Sequence, residues 1–159
     1  MATKDQYEYF KNKYKEEDER NITLTKRAEI YLSLISILFT GLIFKLSDIK
    51  VLCNENSCSL IAFIILLFLL LVTLGFTLDS IRIKDYESDL VVEDYVNELG
   101  DKAPTDEEFF DNRIATFIAA TKENFTINNT KGDRLKYAGG ALFISVIVLI
   151  TFIIITITS

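Results

Sequence analysis

The sequence predicts an all-α integral membrane protein with three transmembrane helices and a helical cytoplasmic module. Three long apolar runs, Ile30 to Leu46, Leu60 to Leu78 and Ala138 to Thr158, cross a chain of 159 residues. Each approaches the roughly 20 residues that a helix needs to cross about 30 Å of hydrocarbon. The second and third contain no charge, and a globular domain of this size cannot bury both from every side. The charged quarter of the chain concentrates in residues 1–29 and 79–136, so its average composition describes neither solvent.

The chain divides into a cytoplasmic N-terminal helical arm (1–29), transmembrane helix 1 (30–46), an extracytoplasmic loop (47–59) and transmembrane helix 2 (60–78). A cytoplasmic helical module (79–137) and transmembrane helix 3 with an outside C-terminus (138–159) complete it. The first run is short, and a secretory signal is its rival. A highly charged segment precedes it, however, and no small-x-small cleavage pattern follows LIFKLSD.

Lysine and arginine set the orientation. The arm carries Lys4, Lys11, Lys13, Lys15, Arg20, Lys26 and Arg27, and the central segment runs from Arg82 to Lys136 with eight basic residues. The loop after the first span offers only Lys50, with Lys45 at the membrane edge. Three spans put the arm and the module on one side, the cytoplasmic one. Cys53 and Cys58, in CNENSC, then fall outside, where a disulfide persists; two free thiols are the alternative, and without histidine the spacing completes no metal site. The matches to N-x-S/T at Asn21, Asn124 and Asn128 lie on the cytoplasmic side and read as chance.

After the second span, Ile83, Tyr86, Leu90, Val91, Tyr95 and Leu99 recur at helical spacing, and Gly100 is a candidate C-cap. Pro104 sits in a turn, and Thr105-Asp-Glu-Glu108 forms a capping box. Phe110, Ile114, Phe117, Ile118 and Thr121 mark a second amphipathic helix, which NFTINNTKGD is expected to break or bend. In the arm, Tyr7, Phe10 and Tyr14 repeat the pattern. These stripes predict a small helical bundle under the membrane, completed by neighbouring subunits, with almost no strand.

The residues point away from catalysis. There is no histidine, no glycine-rich phosphate loop and no nucleophile beside a base, so neither enzyme activity nor a cofactor is expected. A polar stripe runs through the first span instead: Lys26, Glu29, Ser33, Ser36, Thr40 and Ser47, three or four apart, share one helix face with Ile43 or Phe44. In a homo-oligomer this face would line a pore with hydroxyls, Glu29 standing near its cytoplasmic mouth and favouring cations. Packing between helices is the alternative role for such hydroxyls. In the third span Ala138, Gly139, Gly140, Ala141 and Ser145 permit close helix approach, with Thr156 further along that side; the second span reads as lipid-facing.

A basic and amide-rich cluster, Lys122, Asn124, Asn128, Asn129, Lys131, Arg134 and Lys136, lies where the module rejoins the membrane. It suits anionic headgroups of the lipid bilayer, or a phosphate-bearing ligand met by cations and amides.

The layout of a charged helix leading through LTKRAEIYLSLISILFTGLIF, a tight outer loop, a second span and cytoplasmic helices resembles the SLATT-type membrane effectors of bacterial nucleotide-signalling antiphage defence. The third span departs from their two-span pattern and is similar to the three-span Hailong-type channel effectors paired with nucleotidyltransferases. The resemblance rests on segment order. It implies an oligomeric channel of the bacterial inner membrane, gated by a nucleotide or DNA oligomer made by the partner nucleotidyltransferase and acting by depolarisation. A non-conducting anchor that recruits a soluble partner through its cytoplasmic helices is the alternative function.

Overall fold

The computed structural model describes residues 3–55, 57–83 and 105–158. Among these residues four helices follow in order: α1 (Lys4–Phe44), α2 (Leu46–Glu55), α3 (Ser57–Arg82) and α4 (Asp106–Thr158). Among the described residues there is no strand. The all-helical class expected from the sequence is therefore present, and α1, α3 and α4 are each long and apolar enough to cross a membrane.

The charged arm leads into the first apolar run through one helix of 41 residues, α1. Two local expectations change. The segment 47–59, expected as a loop, contains α2 and the start of α3. Backbone bonding carries past the junction, because Lys45 N–H donates to the Gly41 carbonyl (3.2 Å) and Ile49 N–H to that of Lys45 (2.9 Å). NFTINNTKGD does not break α4, which runs 53 residues through it. Two side chains there turn inward on the helix rather than competing with it: Thr126 and Thr130 donate to the carbonyls of Lys122 (3.1 Å) and Thr126 (3.0 Å). The helix expected from Ile83 to Leu99, with its Gly100 cap and Pro104, falls on 84–104, outside the described residues.

The start of α4 follows its sequence signal. Thr105 N–H donates to Glu108 Oε2 (3.1 Å) and Glu108 N–H to Thr105 Oγ1 (3.3 Å), which satisfies two of the donors that a helix start leaves open.

The chain forms two compact units: Met1–Leu24 with Ile83–Thr130, and Thr25–Arg82 with Lys131–Ser159. In the first, the inner edge of α1 is Tyr7, Phe10, Tyr14, Glu17, Asn21 and Leu24, and that of α4 includes Phe117, Thr121, Asn124 and Asn128. Both alternate by three and four, the period of coiled-coil seams. Tyr7 packs its ring on Phe110 (5.5 Å between centroids) and Phe117 (5.8 Å), and Tyr14 packs on Phe117 (5.6 Å).

In the second unit, Ile35 of α1, Leu66 and Leu70 of α3 and Leu142 of α4 form the core, with Tyr31, Leu38, Leu42 and Leu149 packed against them. The α4 edge again alternates by three and four, through Lys131, Leu135, Ala138, Leu142, Ser145, Leu149 and Phe152. Small residues permit the approach: a Cβ on Gly139 would stand 2.7 Å from the Tyr31 hydroxyl oxygen.

Candidate functional site

In the second unit α1 has two faces. Ala28, Tyr31, Ile35, Leu38 and Leu42 point into the bundle, whereas Glu29, Ser33, Ser36 and Thr40 are all exposed. At about 100° per residue the exposed stripe lies roughly 150° around the helix from the buried seam. The hydroxyl protons are already used: Ser33 Oγ donates to the Glu29 carbonyl (2.9 Å), Ser36 Oγ to Leu32 (2.8 Å) and Thr40 Oγ1 to Ser36 (2.8 Å). What each hydroxyl presents outward is therefore oxygen lone pairs, a row of weak acceptors continued by the Glu29 carboxylate. Lys26, Ile43, Phe44 and Ser47 are exposed as well. The chain covers this helix least, with 11% of the apolar stretch of α1 buried against 22% for α3 and for α4.

The residues expected to meet a ligand are distributed over both units. In the first, Lys122 is exposed and lines a groove of about 420 Å³ with Tyr9, Phe10, Lys13 and Phe125. Asn124 and Asn128 are fully buried. The Asn128 amide donates to both the backbone carbonyl and the Oε2 of Glu17, each at 2.8 Å. Arg20 donates to Asn129 Oδ1 (2.7 Å) and to Glu17 (3.5 Å) and lies over the Phe125 ring (5.6 Å). Asn128 and Asn129 thus bind one helix to another, and Asn124 and Asn128 are closed to solvent.

In the second unit, Lys131 is 6% exposed and donates to Thr25 Oγ1 at 3.3 Å. Burial pushes its ammonium pKa below the usual lysine value, since the charged form loses hydration. Arg134 Nε pairs with Asp79 Oδ2 at 3.0 Å, and Lys136 is exposed.

Sequence reasoning overlooked a polar edge on α3, the helix read as lipid-facing. Ser59, Thr73, Thr77 and Ser80 are buried, as is Ser145 of α4. Thr73, Thr77 and Ser145 each donate to the carbonyl four residues back at 2.8 Å, and Ser80 to that of Thr77 at 2.7 Å. The spacing of 73, 77 and 80 carried the signal, continuing the edge of Leu66 and Leu70; the surrounding leucines hid it. Cys58 is exposed, and Cys53, its expected disulfide partner, lies outside the described side chains, as does Thr156.

The chain matches no protein-family model, no curated protein and no solved structure.

Proposed function

We propose that this chain is an integral membrane protein that crosses the bilayer three times, through residues 30–46, 60–78 and 138–158, and assembles into an ion-conducting homo-oligomer. The arm and the module lie in the cytoplasm and the C-terminus outside, as the basic residues argue. The observation that carries the reading is the second face of α1. Its buried seam is already spent on α3 and α4, yet Glu29, Ser33, Ser36 and Thr40 remain exposed on the opposite side. A carboxylate and three hydroxyls in line favour water or another protein surface over hydrocarbon. Copies arranged around an axis give them both, and a ring of Glu29 carboxylates at one mouth favours cations.

The resemblance to SLATT-type and Hailong-type effectors extends the proposal to an antiphage effector of the bacterial inner membrane, gated by a nucleotide or oligonucleotide. Lys122 and Lys136, both exposed, are the cations of the cluster most open to such a ligand. The burial of Asn124 and Asn128 gives them a structural role in the protomer, so the ligand would engage these two only in another state.

The test is single-channel recording from the purified protein in planar bilayers. Discrete currents of stable unit conductance are expected, and Ser36→Leu with Thr40→Leu lowers that conductance. Unchanged conductance in a correctly assembled double variant refutes the α1 lining. A complete absence of current moves the function to recruitment of a soluble partner. The first unit has a surface for that: Tyr9, Ile118 and Phe125 remain about half exposed around its groove.

A further inference from the structure

The pore reading leaves unused an apolar groove of about 510 Å³ in the second unit. Ile37 and Gly41 of α1, Leu66 and Leu70 of α3, and Phe152 and Ile153 of α4 form its walls. The volume falls within the range of about 300–1,000 Å³ typical of sites that enclose a small ligand. Gly41 opens the α1 wall, because a Cβ there would meet nothing within 4 Å. Among the described residues, the charged ones lining it are Lys45 and Asp48, which lie where α1 gives way to α2. Their side chains pair at 3.1 Å yet remain 73% and 62% exposed.

An occupant that uses both features of this groove is apolar over most of its length and carries a charge of each sign at one end. An apolar void leaves its lining short of contacts and gives water too few partners, so hydrocarbon fills it best. At the charged end, Lys45 offers an ammonium to a phosphate and Asp48 a carboxylate to an amine. We propose that the groove binds an acyl chain of a zwitterionic phospholipid of the ethanolamine type, its phosphate on Lys45 and its ammonium on Asp48. This rests on the membrane-spanning reading and is independent of ion conduction.

Photolabelling of the full chain tests it. The protein is reconstituted in vesicles of phosphatidylethanolamine and phosphatidylglycerol containing a phosphatidylethanolamine with a diazirine on one acyl chain. Labelled residues are then mapped by mass spectrometry. Label is expected on Leu66, Phe152 and Ile153 in addition to the outward-facing Ile61 and Phe68, which are 58% and 64% exposed. Gly41→Leu fills the groove and lowers its label at least about fivefold, a difference of roughly 1 kcal/mol in affinity. It does so without straining the helix, since leucine is the better helix former. Gly75→Leu puts the same bulk at an open glycine of α3 outside the groove and leaves the label unchanged. Lys45→Gln weakens groove labelling by this probe but not by an uncharged diacylglycerol probe.

Label on Ile61 and Phe68 with none in the groove overturns the inference while the membrane reading stands. Groove label indifferent to Gly41→Leu overturns it too, and so does a groove crosslinked to a second copy. No label on any helix overturns the membrane reading and this inference with it.

Discussion

The two units close helix on helix by different chemistry. In the first, α1 and α4 meet through aromatic rings at Tyr7, Tyr14 and Phe117 and through a polar cluster in which Glu17 accepts from Asn128 and Arg20. In the second, aliphatic side chains surround Ile35 and Leu70, and the buried hydroxyls of Thr73, Thr77 and Ser145 donate to their own helices. A polar side chain that bonds across helices fixes register, because a shift of one turn strands it. One that bonds its own backbone fixes nothing across the interface and permits sliding. The difference gives register mainly to the buried seam of the first unit and close approach to that of the second, whose polar contacts between helices include the half-exposed Arg134–Asp79 pair and the Lys131–Thr25 bond.

Breaking the polar cluster is the most severe test of that assignment. Asn128→Asp sets a carboxylate against Glu17 in a fully buried position, and uncompensated buried charge costs about 3–5 kcal/mol. Hydrogen exchange should show residues 4–24 and 106–130 losing most of their protection while α3 keeps its own. Equal loss in both units would mean that they do not unfold separately.

Close approach in the second unit is tested at a pair of adjacent glycines. At Gly139 a Cβ would stand 2.7 Å from the Tyr31 hydroxyl oxygen and 3.3 Å from the ring carbon that bears it, whereas at Gly140 it would meet nothing within 4 Å. Gly139→Ala should therefore destabilise the protein by about 1–3 kcal/mol, the usual range for overpacking. Tyr31→Phe, which removes the nearer atom, should restore part of the loss. Gly140→Ala should stabilise by up to about 1 kcal/mol through helix propensity alone. Reversible unfolding in detergent, followed by circular dichroism, measures all three. If both glycines respond alike, the α1–α4 contact at Tyr31 is wrong.

A smaller effect belongs to the start of α4. Thr105→Ala removes the hydroxyl that caps Glu108 N–H and should cost about 1 kcal/mol. Its signature is local, with faster exchange over the first turn of α4 and no change in the second unit.

The capping box shows what the sequence made legible, since Thr105 and Glu108 declare a helix start by residue type and spacing alone. Tyr7, Phe10 and Tyr14 likewise announce a buried edge by periodicity. Apolar runs identified the three long helices because their length admits few other structures. Less could be read where side chains are ambivalent. Asparagine, threonine and glycine in NFTINNTKGD argue for a break, but Asn128 finds Glu17 and Thr126 and Thr130 bond back along α4. The low propensity of the segment is thus overridden by a contact made far along the chain, from Asn128 to Glu17, while the two threonines bond back along the helix itself. For the candidate site, the stripe of Glu29, Ser33, Ser36 and Thr40 was visible as one face of a helix. Which face the chain leaves uncovered was not, because that depends on the packing of Ile35 with Leu66 and Leu142. The basic cluster was legible in composition only, as sequence gives no means to separate the buried Asn124 and Asn128 from the exposed Lys122 and Lys136.

Lys131 makes the finest distinction between the units, because it is a buried cation on the inner edge of α4, in a unit whose other buried polar side chains, among the described residues, are hydroxyls. Burial lowers its pKa in the folded protein from the ordinary lysine value of 10.5. Between the lowered value and 10.5 the unfolded chain binds more protons than the folded one, so stability rises with pH across that window. Below the folded pKa the penalty on the charged form is complete and constant, and above 10.5 it is gone. Lys131→Met retains the length of the side chain and removes the proton. The variant should therefore lose the rise at alkaline pH and match or exceed the native protein at neutral pH, provided that the bond to Thr25 contributes less than the desolvation it accompanies. A variant less stable at neutral pH reverses that balance. It would make Lys131 a buried register-fixing contact of the second unit, and the contrast between the two units would narrow to their rings and aliphatic side chains.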